Sequence, residues 1–321
     1  MIPSDTMRRV LSIDGGGIRG VFPAAFLAAV EETIGRPISE YFDLIVGTST
    51  GGIIALALGS GITAKDMLSF YESQGPKVFA GSRLFSSVRH WGTAKYDPEP
   101  LREALKSVFG ERYIGDCNKR LVIPSFNLET GEVYIWKTAH HPSLQRDYRC
   151  KILEAAMSTA AAPTYFPTHR TASGVPLLDG GVWANNPAAV AAVEAIGLLG
   201  WPREEVRILS IGCISKPLAI NWARRWSVGK GYWALKAVDL LLHAQQTSAN
   251  GMAQHLLGDK GNFFRISPAV GNSFYLDRVS DIPSLRGLGE SEARMHLPKL
   301  RTVFFSAPTE DAFVPVYKVQ R

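Results

Sequence analysis

The sequence predicts an α/β protein, with a central, mostly parallel sheet covered by helices on both faces. Three observations carry that expectation. Strand-like and helix-like segments alternate along the chain, as parallel strands joined by crossover helices require. Two of the strands run straight into glycine-rich turns that open onto apolar helices, at 14–20 and 47–51. Of the 321 residues, 46% are hydrophobic. That is enough apolar surface to offset the entropy of ordering the chain, so disorder is excluded.

The elements follow in order. Residues 9–13 read as a short strand and 21–34 as an apolar helix. Residues 44–62 carry no charge and are long enough to suggest a membrane span. They also hold Gly47, Gly51, Gly52, Gly59 and Gly61, with Thr48, Ser49 and Thr50 together. A buried strand at 44–46, a tight turn and a helix at 50–58 fit that pattern better. Residues 120–127 and 132–137 flank Glu129-Thr130-Gly131 as a hairpin. Pro187 opens an alanine-rich helix running to Leu199, at a position where its missing N–H costs little. A strand at 206–211, a long apolar helix at 232–257 and an amphipathic helix at 290–305 complete the reading. No repeat, low-complexity tract or linker divides the chain, so one domain is expected.

Charge and cysteine usage narrow the setting. There are 35 Lys and Arg against 29 Asp and Glu, a net charge of +6. That permits an anionic partner without identifying one. Cys117, Cys150 and Cys213 cannot make a disulfide framework and none lies in a CxxC pair. They read as buried thiols of a reducing compartment. Residues 1–7 include Asp5 and no long apolar stretch, so they do not read as a secretory leader. A cytoplasmic chain is expected.

Three motifs carry chemistry. The first is Asp14-Gly15-Gly16-Gly17-Ile18-Arg19-Gly20, between a strand and a helix. Adjacent glycines let the backbone turn sharply and aim N–H groups outward at a helix N-terminus. Phosphate binding and oxyanion stabilisation both need such donors. Gly15, Gly17 and Gly20 also match GxGxxG, which leaves a non-hydrolytic dinucleotide-binding module as the alternative. Against it, Asp43 precedes the second strand instead of ending it. The second motif is Gly47-Thr48-Ser49-Thr50-Gly51, a GxSxG in strand–turn–helix context. That is the setting of a nucleophile elbow, with Ser49 at the tip of the turn. The third is Asp179-Gly180-Gly181, a common turn sequence, followed by Trp183-Ala184-Asn185-Asn186-Pro187. Asn185 and Asn186 are candidate caps for the next helix.

A serine nucleophile needs a base. The seven histidines (His90, His140, His141, His169, His243, His255 and His296) stand in no recognisable triad context, and no HExxH suggests a metal. A carboxylate such as Asp179 is then the candidate base. A carboxylate of ordinary pKa is a weak one, so the glycine-loop donors must carry much of the barrier lowering.

These motifs, in this order, resemble the patatin-like phospholipase family: DGGGxxG at 14–20, GxSxG at 47–51 and DG[GA] at 179–181. The resemblance extends over residues 8–306, leaving 307–321 as a C-terminal tail. It implies a three-layer α/β/α patatin-like fold and a Ser–Asp dyad, with Ser49 as nucleophile and Asp179 as direct general base. It implies an oxyanion hole from Gly15, Gly16 and Gly17, supported by Asp14, Arg19, Gly20, Gly47, Gly51, Gly180 and Gly181. The reaction implied is hydrolysis of fatty-acyl esters of membrane phospholipids, with no metal and no cofactor. Arg19 opposes the helix dipole, so an internal salt bridge to a carboxylate is expected, with contact to a lipid phosphate as the alternative. The chain also resembles compact bacterial members, which include anti-phage effectors switched on by a cyclic oligonucleotide. That implies a cyclic di- or trinucleotide as activator, with no visible motif for it.

The positive charge is clustered. Residues 76–96 and 206–238 contain no acid. The first holds Lys77, Arg83, Arg89 and Lys95 among Phe79, Phe85, Trp91 and Tyr96; the second holds Arg207, Lys216, Arg224, Arg225, Lys230 and Lys236 among Trp222, Trp226, Tyr232 and Trp233. Such mixtures suit an anionic bilayer or a nucleotide. A solvated face over buried aromatics is the plainer reading. Peripheral contact with the inner membrane is therefore expected, and Gly75-Pro76 is a candidate hinge for the first stretch.

Overall fold

The computed structural model describes residues 7–80, 94–214, 230–258, 260–270, 274–310 and 312–319, without the side chains of 230–239 and 260. Eight strands form one sheet: β1 (Arg8–Ile13), β2 (Leu44–Gly47), β3 (Arg120–Asn127), β4 (Glu132–Lys137), β5 (His169–Arg170), β6 (Pro176–Asp179), β7 (Val206–Ile211) and β8 (Phe263–Ile266). Their order is β5-β6-β3-β2-β1-β7-β8, with β4 also paired to β3. Strands β8, β7, β1, β2 and β3 run parallel. Strands β4 and β6 are antiparallel to β3, and β5 is antiparallel to β6.

The helices are α1 (Val21–Ile34), α2 (Thr50–Gly59), α3 (Ala64–Val78), α4 (Glu99–Phe109), α5 (Ile152–Thr159), α6 (Gly181–Ala184), α7 (Ala188–Val193), α8 (Lys230–Leu257) and α9 (Ile282–Val303). Successive strand side chains point to opposite faces of the sheet, and each face builds its own core. Leu11, Ile13, Ile45, Leu209 and Ile211 pack with α1 and α2. Val10, Leu44, Val46, Val206 and Ile208 pack with the alanines of α7 and with Ala253 and Leu257 of α8. The expected α/β/α layering is therefore present.

Three elements depart from the sequence expectation. The helix after Pro187 is α-helical only to Val193 and continues as a π turn, Glu194–Leu198. Glu194 is buried there, with its carboxylate on His140 Nε2 at 2.8 Å and Lys137 Nζ at 2.6 Å. A wide turn re-aims a side chain in this way. The last helix starts at Ile282, ahead of the expected 290. It includes Gly289, where a Cβ would meet the Phe22 carbonyl oxygen of α1 at 2.6 Å. Gly75-Pro76 is no hinge; both lie inside α3, with Gly75 pressed against Ile18.

The two edges of β3 position the site. β4 pairs along 122–127 and so occupies one edge of β3. β2 pairs with 120–122 and β6 with 125–127, and both must use the other edge. β2 runs parallel to β3 and β6 antiparallel, so their C-terminal ends meet head to head beside Pro124.

Candidate active site

The head-to-head meeting brings Ser49, two residues beyond β2, to Asp179, the last residue of β6. All of α2 through β5 lies between them in sequence, so the pair is made by tertiary pairing and not by a local turn. Ser49 has φ 55° and ψ −123°, a backbone conformation costly for a residue with a Cβ. The turn holds it because Gly47 and Gly51 touch: a Cβ on Gly47 would collide with the Gly51 carbonyl oxygen, and one on Gly51 with that of Ile13. Ser49 is also the residue at the N-cap of α2, where the helix dipole favours negative charge.

Asp179 is buried, and its carboxyl pKa is pushed up to about 7. Loss of solvent raises it, while hydrogen bonds from the Ser49 hydroxyl and the Gly181 N–H hold it down. The Gly181 N–H lies 2.6 Å from Asp179 Oδ1. A carboxylate with a pKa near neutrality is a far better proton acceptor than an ordinary one. Burial thus moves Asp179 toward the basicity that a candidate base needs.

The glycine loop follows β1, whose end is level with those of β2 and β7 (Ile13 pairs with Gly47 and Ile211). A Cβ on Gly15 would approach the Ser49 Cβ to 3.0 Å, so the loop lies against the serine. Its donors are not equivalent. The Gly15 N–H is bonded to the Asn185 carbonyl at 2.9 Å, which corrects the expectation of three outward donors. Among the described residues, the N–H groups of Gly16 and Gly17 meet no acceptor. The Ile18 N–H donates to the Leu276 carbonyl at 2.8 Å, and that carbonyl also fills the space beside Gly17. The Ile18 N–H at this helix start is therefore already taken, which leaves one donor fewer for the pyrophosphate of the dinucleotide alternative.

Two charged residues of the loop behave unexpectedly. Arg19 makes no ion pair among the described residues; its Nε and Nη1 donate to the carbonyls of Gly16 and Ile214, each at 3.3 Å. The expected salt bridge fails because the nearest carboxylate, Asp14, is already taken. Arg265 of β8 grips it with Nη1 to Oδ1 at 2.8 Å and Nη2 to Oδ2 at 2.5 Å. The same Nη1 reaches Ser210 Oγ at 2.7 Å. Arg265 was invisible to motif reading, since nothing in its neighbourhood marks it. Pro187 stands at the N-cap of α7 in place of either expected asparagine, while Asn186 Oδ1, one residue earlier, accepts from the Ala188 N–H at 3.1 Å.

A cavity of about 170 Å³ beside the α5 C-terminus is lined by Leu101, Met157, Ala160, Ala161 and Phe166 together with Arg102, His169 and Arg170. Among the described residues no hydrogen bond joins a histidine to Ser49 or Asp179, and no cluster of His, Cys, Asp and Glu is gathered as for a metal. Phe79 and Tyr96 of the first basic stretch pack inward on each other and on Phe166, and Lys95 is paired with Asp277. Arg83, Phe85, Arg89, Trp91, Lys216, Trp222, Arg224, Arg225 and Trp226 lie outside the described residues.

The family model described as patatin-like phospholipase matches residues 11–192, more than half of the chain and every motif above. The chain belongs to the patatin-like phospholipase family and is a lipid hydrolase. It is 38% identical over 260 residues to a cGAMP-activated phospholipase of Pseudomonas aeruginosa, covering 80% of this chain and 77% of that one. It is 34% identical over 292 residues to a cGAMP-activated phospholipase of Escherichia coli, covering 84% and 80%. A Vibrio cholerae protein of the same description is 35% identical over 234 residues, covering 66% of each.

Proposed function

We propose that Ser49 is the nucleophile and Asp179 the general base in hydrolysis of the acyl esters of membrane phospholipids. The observation that carries this reading is the head-to-head meeting of β2 and β6, which sets Ser49 beside the buried Asp179, whose carboxyl pKa is pushed up to about 7. Asp179 takes the hydroxyl proton as Ser49 Oγ attacks the ester carbonyl. The N–H groups of Gly16 and Gly17, with the α2 N-terminus, receive the oxyanion. Gly15 serves by setting the loop's distance from Ser49. The protonated Asp179 then gives its proton to the leaving alcohol, and water releases the fatty acid from the acyl-enzyme by the reverse sequence.

The test is a pair of purified variants, Ser49→Ala and Asp179→Asn, assayed on phospholipid vesicles. Each is expected to lose at least about a thousandfold in kcat with an unchanged circular dichroism spectrum. Wild-type rates in either variant would end the dyad reading.

We extend to this chain the control named in its relatives, activation by a cyclic nucleotide, and with it a cytoplasmic enzyme acting at the inner face of the membrane. Latency is the physical need here, because an unregulated phospholipase would degrade its own cell's bilayer. No helix among the described residues is long and apolar enough to cross a membrane, which is consistent with action from one side. Vesicle hydrolysis is expected to be low alone and to rise with cGAMP when a panel of cyclic di- and trinucleotides is added. High activity unaffected by every nucleotide would reject the activation.

A further inference from the structure

We infer that Thr159, the last residue of α5, is a positioning residue that sets the separation between Ser49 and Asp179. The inference rests on the dyad reading above. Thr159 is fully buried. Its hydroxyl accepts the Ser49 backbone N–H at 2.9 Å and donates to the Pro124 carbonyl at 2.7 Å. Two residues on, the Ala161 carbonyl accepts the Asp179 N–H at 3.0 Å. One turn of chain therefore grips the nucleophile through a side chain and the base through its backbone.

Each bond answers a need created elsewhere. Ser49 departs from both strand and helix conformation, so its N–H takes a side-chain acceptor in place of a ladder or helical one. Pro124 sits where β2 has stopped pairing with β3 and β6 has not yet begun. Its carbonyl is left over on that edge, next to Gly180, whose ideal Cβ would strike it. Thr159 thus ties the elbow to the part of β3 on which the Asp179 turn rests. The neighbouring hydroxyl cannot substitute, because Ser158 Oγ is committed to the Glu154 carbonyl at 2.7 Å. Valine would fill the same volume and leave the Ser49 N–H and the Pro124 carbonyl both buried without partners.

The experiment compares Thr159→Val, Thr159→Ser and wild type on a water-soluble acyl ester across pH. Thr159→Val is expected to lower kcat about ten- to a hundredfold with KM within about twofold, as a displaced nucleophile does. Thr159→Ser, which keeps the hydroxyl, is expected to retain kcat within about threefold. The acid limb of the profile should move upward in Thr159→Val, since a displaced Ser49 no longer holds down the Asp179 pKa. Should Thr159→Val fail to fold, Thr159→Ala supplies the same readouts. A folded variant lacking the hydroxyl with wild-type kcat and an unmoved acid limb would overturn the inference. So would a Thr159→Ser as impaired as Thr159→Val. Activity surviving in Ser49→Ala would instead overturn the dyad, whatever Thr159 does.

Discussion

Burial gives Asp179 two opposed consequences. Its carboxyl pKa rises from 3.8 to about 7, so the acid limb of kcat/KM is expected near pH 7, read directly from a pH–rate profile. The same shift costs stability. The unfolded chain releases this proton near pH 4, while the folded chain holds it until about pH 7. Stability contributed by the neutral form is therefore present below about pH 4 and lost as pH rises through 7. Asp179→Asn should raise Tm above pH 7, with the gain shrinking as pH falls and vanishing near pH 4. A gain independent of pH would contradict this account. Ser49 and Asp179 are legible in the sequence as candidates, because a GxSxG turn and a DG turn are local patterns. The pKa of Asp179 is not, since neither motif says how deeply a side chain will be buried.

At the scale of elements, the glycine loop is held from β8, two strands away. Asp14 is buried and Arg265 largely so, with 13% of its side chain exposed, and the pair also holds Ser210. Removing one partner of such a pair strands a charge. Arg265→Met is expected to cost about 3–5 kcal/mol, measured as a fall in the urea midpoint at constant m-value. Asp14→Asn with Arg265→Met should recover most of that. Equal midpoints for the single and double variants would show that the charge is not what costs. Arg19 was read from sequence as half of a salt bridge, and Asp14 is the carboxylate that could have answered it. Which of two arginines reaches a carboxylate is decided by the register of parallel strands, which motif reading does not see. The π turn at Glu194–Leu198 has the same character. Its cause lies across the sheet in His140 and Lys137.

For the whole molecule, the end of the chain is tied to its first strand. Arg9, buried on β1, donates to the carbonyls of Phe304 and Ala307 at 2.8 and 2.5 Å. Beyond them Thr309 N–H bonds Glu40 O, Val316 N–H bonds Ala139 O, and Tyr317 stacks on Tyr148 at 5.6 Å. Ending the chain at residue 306 is expected to lower Tm, because it removes these contacts and two acceptors of a buried cation, the carbonyls of Ala307 and Pro308. An unchanged Tm in a thermal melt would show that this stretch adds nothing to the fold.

Local sequence patterns dictate the layered α/β architecture, most strand and helix positions, the hairpin, and the two turns that present Ser49 and the glycine loop. Those features depend on neighbours a few residues apart: apolar periodicity, and glycines wherever a Cβ would strike adjacent backbone. Tertiary structure alone decided that β2 and β6 end against each other on one edge of β3, that Thr159 stands between them, and that Arg265 holds the loop. These contacts join residues far apart in the chain, and no local pattern records which strand edge a later strand will occupy.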